Sequence, residues 1–139
     1  MIHLFKMRSI LIILIYVMWG QPHLMAQDKS SEGNFFKSAY QQQVTEGKSF
    51  TVECSNHGYF KSNSGWKDGK YYVLINDVLP GTIIEIKLQS TQRVIYAKVL
   101  GPLTPSKENE GIMLRLSAAS LASLGIKDNN EPMILTWNK

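Results

Sequence analysis

The sequence predicts a small, mostly β domain of about seven short strands and one short helix. Three observations lead there. Apolar and polar residues alternate with a period of two at Ser49–Cys54, Thr82–Leu88 and Val94–Val99. The run Tyr71–Ile75 is dense in aromatic and β-branched residues, as a buried strand is. Turn residues recur at short intervals, at Ser55-Asn56-His57-Gly58, Asp68-Gly69, Pro80-Gly81 and Gly101-Pro102.

The chain has 139 residues and a net charge of +4. Positions 1–26 have the pattern of a secretory signal peptide. Lys6 and Arg8 make a positive start, Ser9–Trp19 is apolar, and Leu24-Met25-Ala26 precedes a polar run. The apolar run is too short for a spanning helix, which needs about 20 residues. The expectation is therefore export to the periplasm or outside the cell, without stable membrane insertion. Without Lys6 and Arg8, 13 basic residues face 11 acidic ones. That balance is no nucleic-acid footprint, which needs a clustered basic face. Cys54 is the single cysteine, which excludes an internal disulfide and leaves the domain to its core.

Residues 27–47 are polar, contain Gln41-Gln42-Gln43, and read as a flexible linker. The folded domain is then expected over 48–139. Phe50, Val52 and Cys54 share one face of the first strand. Tyr59-Phe60 continues as a short strand, and Trp66 sits between two turns. Pro80 fixes φ and Gly81 permits a left-handed turn before Ile84, Ile86 and Leu88. Ser90–Arg93 is a hairpin connection to a strand whose Ile95, Ala97 and Val99 face the core. Leu103–Gly111 is a polar loop. After strand Ile112–Leu116, Ser117 is a suitable N-cap for a helix over Ala118–Leu124, which Gly125 ends. Met133–Trp137 closes the domain as a strand.

Several pieces occur in a telling order. They are Leu79-Pro80-Gly81-Thr82 with Ile83–Ile86, then Val94–Val99 with Gly101-Pro102, then Leu114–Ala119 with Leu124-Gly125. Their order and spacing resemble the double-psi β-barrel of rare lipoprotein A-like proteins, relatives of the expansin and barwin barrels. The resemblance implies a six- to seven-stranded barrel and a cell-wall glycan ligand. In lytic members of that family an acid, a His and a second acid act at the groove. Here the His position falls at Asn76, and the acid positions fall at Val99 or Leu100, at Arg115 and near Trp66. Cleaving a glycosidic bond needs a proton donor, normally a carboxylic acid, which Asn, Val and Arg do not provide. Of the nearby acids, Glu85 reads as solvent-facing and Asp77 as a turn residue.

The expectation is a non-catalytic binder of peptidoglycan or another envelope glycan. Trp66 and Tyr72 would stack on sugar faces, while Asn76, Lys98 and Arg115 would bond hydroxyls or carboxylates. An active lytic enzyme and a protein-interaction module are the competing classes. Cys54 and His57 offer a thiol and an imidazole, but structural zinc wants four ligands and no second Cys or His accompanies them after position 26. No catalytic residue, metal ligand or cofactor is assigned.

Overall fold

The computed structural model describes residues 34–139. The predicted signal peptide and the first part of the predicted linker lie outside the described residues. The fold is mostly β: seven strands form one mixed, strongly curled half-barrel sheet, with two short helices. In chain order the elements are α1 (Lys37–Gln43), β1 (Ser49–Cys54), β2 (His57–Phe60), β3 (Tyr71–Ile75), β4 (Ile83–Leu88), β5 (Val94–Gly101), β6 (Leu114–Ser117), α2 (Ala118–Leu124) and β7 (Met133–Asn138). A single 3-10 turn, Lys107–Asn109, interrupts the loop before β6.

Across the sheet the order is β1-β7-β4-β5-β3-β6-β2. Two neighbouring pairs are parallel, β3 with β5 and β2 with β6; the other four are antiparallel. The two edge strands are consecutive in the chain and separated only by Ser55-Asn56. The period-two pattern determines which side chains fill the curl. Ile84, Ile86 and Leu88 from β4, Ile95, Ala97 and Val99 from β5, and Leu114 and Leu116 from β6 are all buried in one cluster. Met133 and Leu135 join them from β7, and Leu124 seals the cluster from α2. Each of these side chains other than Ala97 contributes about 1.5–3 kcal/mol of transfer free energy.

The turn and cap chemistry behaves as expected. Gly81 has φ 92° and Gly69 has φ 66°. The Ser117 hydroxyl accepts the Ser120 N–H, and Gly125 ends α2 in a left-handed conformation. Three expectations need correction. Among the described residues there are two short helices rather than one, because part of the expected linker folds as α1. Its Phe36 and Tyr40 are buried against Ile83, with Tyr72 and Tyr96 beside them. Tyr71–Ile75, expected to be a buried strand, is fully buried on one face only. Tyr71, Val73 and Ile75 are buried, whereas Tyr72 and Leu74 are only half-covered. His57 belongs to β2 rather than a loop and is 2% exposed, with Nε2 donating to the Glu131 carbonyl at 3.0 Å.

Candidate functional site

Asn76 follows the last residue of β3, where the strand turns sharply. The turn needs a left-handed residue, and Asp77 supplies it with φ 64°, a conformation that Asp and Asn tolerate better than most side chains. The Oδ1 of Asn76 accepts the Leu103 N–H at 2.9 Å, which fastens the loop after β5 to the end of β3. Among the described residues the Asn76 amide N–H groups donate to no protein atom.

Two open clefts meet at Asn76. The larger, of about 560 Å³, lies between the β1–β2 junction and the turn after β3. Val52, Glu53, Ser55 and Asn56 form one wall, and Ile75 to Val78 form the other. Gly111, Ile112 and Met113 lead into β6 along its floor, and Trp137 of β7 adds an aromatic wall. The Met113 N–H donates to the Asn56 carbonyl at 2.9 Å, tying floor to wall. Trp137 stacks on Phe50, ring centroids 6.3 Å apart. The second cleft, of about 460 Å³, runs from Asn76 along Leu103–Lys107 to Asn109 and Glu110.

The larger cleft carries two carboxylates, Glu53 and Asp77. Both residues are exposed, and neither carboxylate forms a hydrogen bond or ion pair among the described residues. No lysine or arginine lines this cleft. Among the described residues no group of three or more His, Cys, Asp or Glu is placed to hold a metal ion.

Of the five residues expected to bind ligand, Asn76 alone lines these clefts; Asp77, read from sequence as a turn residue, lines the larger one beside it. Tyr72 and Lys98 are register partners on β3 and β5 and lie under α1. The Phe36 ring meets Tyr72 edge-on at 5.7 Å, and Lys98 Nζ sits 5.7 Å from the same ring. Arg115 bonds to the protein itself. Its Nε donates to Asn109 Oδ1 at 2.5 Å, its Nη1 to the Tyr59 carbonyl at 3.1 Å and its Nη2 to the Glu108 carbonyl at 3.1 Å. Trp66 is 60% exposed on a separate loop. Asp68 shapes that loop by accepting N–H bonds from Gly65 and Lys70, and these bonds hold its carboxyl below the usual range. Val99 is buried in the core and Leu100 is exposed.

Sequence reasoning did not single out Glu53, Asn56 or Met113 for the site, and it gave Trp137 only as the end of the closing strand. Glu53 lies near the end of β1 and Asn56 in the break before β2, and that break was legible. That this break faces the turn at Asn76-Asp77 follows from the pairing of β2 with β6 and of β3 with β6, which no local signal reveals.

No protein-family model matches this chain, and no curated protein matches it.

Proposed function

We propose that this chain is an exported, rare lipoprotein A-like double-psi β-barrel module that holds peptidoglycan or another envelope glycan without cutting it. The pairing pattern supports the fold half of this reading. β5 runs antiparallel to β4 at its start and parallel to β3 at its end. The β1–β2 pair does the same, antiparallel to β7 and then parallel to β6. β3 and β6 are antiparallel partners, as are β4 and β7. Exchanging β1–β2 with β5, β3 with β6 and β4 with β7 therefore leaves every pairing unchanged. Such a pseudo-twofold repeat of mixed pairings suits two interlocked psi units.

The observation that carries the functional half is the cleft at Asn76. It joins an aromatic wall, Trp137, to unused carboxamide donors and two carboxylate acceptors. Sugar rings offer apolar faces for stacking and hydroxyls that bond both donors and acceptors. Binding is favoured over cleavage because a general acid at a glycosidic bond is normally kept protonated by an apolar enclosure. Glu53 and Asp77 stand in water instead.

The two carboxylates beside one cleft nevertheless favour a second reading, a lytic enzyme built on Glu53 or Asp77. Incubation with purified wall sacculi separates the two. A binder sediments with the wall and releases no soluble glycan. An enzyme releases fragments, and Glu53→Gln or Asp77→Asn stops the release. Asn76→Ala should weaken sedimentation, whereas Trp66→Ala should not. Loss of retention in Trp66→Ala with Asn76→Ala unaffected would move the site to the Trp66 loop.

A further inference from the structure

We infer that two copies of this chain join edge to edge through β1, antiparallel about Thr51, into one continuous sheet. The inference is independent of what the cleft at Asn76 binds. It starts from the backbone. The Lys139 N–H donates to the Lys48 carbonyl at 3.1 Å, so that opposed pair is a bonded one. Bonded pairs alternate along an antiparallel ladder. Phe50, Val52 and Cys54 therefore turn their backbone groups toward β7, opposite Trp137, Leu135 and Met133. The N–H and C=O of Ser49, Thr51 and Glu53 point away from the sheet. All three residues are exposed, and among the described residues no group bonds those backbone atoms. Natural sheets defend such edges with short strands, bulges, Pro or Lys. The other edge of this sheet is defended: β2 has four residues, and Arg115 Nη1 takes the Tyr59 carbonyl. β1 has six residues, pairs with β7 without a register shift, and contains no Pro, Gly or Lys.

The residues of β1 decide the occupant, because in one register the strand complements itself. With Thr51 opposite Thr51 of a second copy, Ser49 faces Glu53 of that copy and Phe50 faces its Val52. The outer face then carries a row of threonines, Thr136 and Thr51 from each copy. Within one copy these two hydroxyls already lie 3.4 Å apart. The inner face carries Trp137 and Phe50, continued by Val52 and Leu135 of the second copy. Phe50 and Trp137 stack at 6.3 Å, and Phe50 stays 39% exposed until a further strand covers it. Threonine pairs and aromatic–β-branched pairs are favourable across strands, and opposed like charges are not. The one charged residue of β1, Glu53, meets Ser49 in this register. Centring the pair on Glu53 instead would set two carboxylates against each other.

Sedimentation equilibrium tests the pairing. Edge pairing makes a small interface, so the mass should rise from monomer toward dimer between about 10 µM and about 1 mM. Thr51→Pro removes an outward N–H from each copy and spares the bonds to β7, so it should weaken association about 10- to 100-fold. Thr51→Lys opposes like charges across the axis and should also weaken it. Native amide dispersion in either variant shows that its own sheet is intact. Cross-linking tests the register. The Cα atoms of a bonded antiparallel pair lie about 5.5 Å apart, within reach of a disulfide. Thr51→Cys should therefore oxidise to a covalent dimer, whereas Ser49→Cys, which faces Glu53, should not. The native Cys54 is 1% exposed and does not compete. A wild-type chain that stays monomeric across the whole concentration range overturns the inference. So does a dimer that Thr51→Lys leaves unchanged, or one that links through Ser49→Cys and not through Thr51→Cys.

Discussion

Arg115 turns its guanidinium onto the protein, and the consequence is a held loop rather than an open cation. Three acceptors from two segments, Tyr59 on β2 and Glu108 and Asn109 before β6, converge on its nitrogens. Gly58 lies opposite it in the β2–β6 register, and a Cβ at Gly58 would come within 2.9 Å of Arg115 Nη1. Arg115→Ala should therefore lower unfolding free energy by about 1–3 kcal/mol. Urea titration checks this, and hydrogen exchange should report faster opening across residues 104–112. Arg115→Lys should recover only part of the loss, because one ammonium cannot reproduce a planar fork. An unchanged urea midpoint in Arg115→Ala would show that the clamp is idle. The sequence placed Arg115 correctly on a strand leading into a helix. It could not show that the side chain is engaged, because Tyr59 lies far away in the chain. Asn76 was singled out by the resemblance, which places the family's His there, and its bond to Leu103, 27 residues on, left no mark in the sequence either.

The two helices show what a sequence can and cannot announce. α2 carries its own signals, a Ser117 cap and a left-handed Gly125, so local chemistry is enough to find it. α1 has none: its N-cap, Phe36, makes no side-chain bond, and neither end carries a charge that favours the helix dipole. Seven residues do not hold a helix alone in water. What holds α1 is the outer face of the sheet. Phe36 and Tyr40, one helical turn apart, cover Ile83, Tyr72 and Tyr96. The Gln43 amide closes the contact, accepting the Ile83 N–H at 2.8 Å and donating to the Ile83 carbonyl at 2.9 Å. The available clue was Ile83 itself, an apolar residue on the wrong side of an alternating strand. Phe36→Ala should cost about 3 kcal/mol. Amides 37–44 should lose exchange protection while β4 and β5 keep theirs. Alkali tests the same contact. Burial, then the charge on Glu85, then Tyr96, push the Tyr40 hydroxyl up to about 12 from an ordinary 10.0. The unfolded chain therefore loses this proton first as pH rises. The contribution of Tyr40 is complete below about pH 10 and fades as pH climbs toward 12. Phenolate absorbance of the folded protein should show Tyr40 and Tyr96 titrating late, and Phe36→Ala should return Tyr40 toward normal.

At the scale of the whole molecule, the first strand of the sheet pairs with the last. Ser49 lies opposite Asn138 and Cys54 opposite Met133, so the sheet is finished only when nearly the entire described chain is in place. The sequence made the strands legible one by one, but their parallel partners lie far apart in the chain and leave no local mark. Such non-local pairing implies slow folding and a single cooperative transition. Cys54 offers a direct reading of that cooperativity. It is 1% exposed, and burial pushes its thiol up, so it should react with a thiol reagent only when the sheet opens globally. Removing β7 is the decisive perturbation. A chain ending at Pro132 loses the buried Met133 and Leu135 and unpairs β1 and one edge of β4 together. Those two side chains alone represent about 3–6 kcal/mol of burial, against a total stability for a small domain of about 5–15 kcal/mol. The ladder bonds of two strands and the end-capping contacts of Asn138 with Gln43 and Gly47 are lost with them. The truncated chain should therefore show collapsed amide dispersion in two-dimensional NMR and a fully reactive Cys54. Removing Lys139 alone, which gives up a single backbone bond to Lys48, should leave both measurements native. A truncated chain that kept dispersed signals for β3, β5 and β6 would mean that the sheet contains a smaller self-sufficient unit, and the closure of first strand on last would then be an addition to the fold rather than its condition.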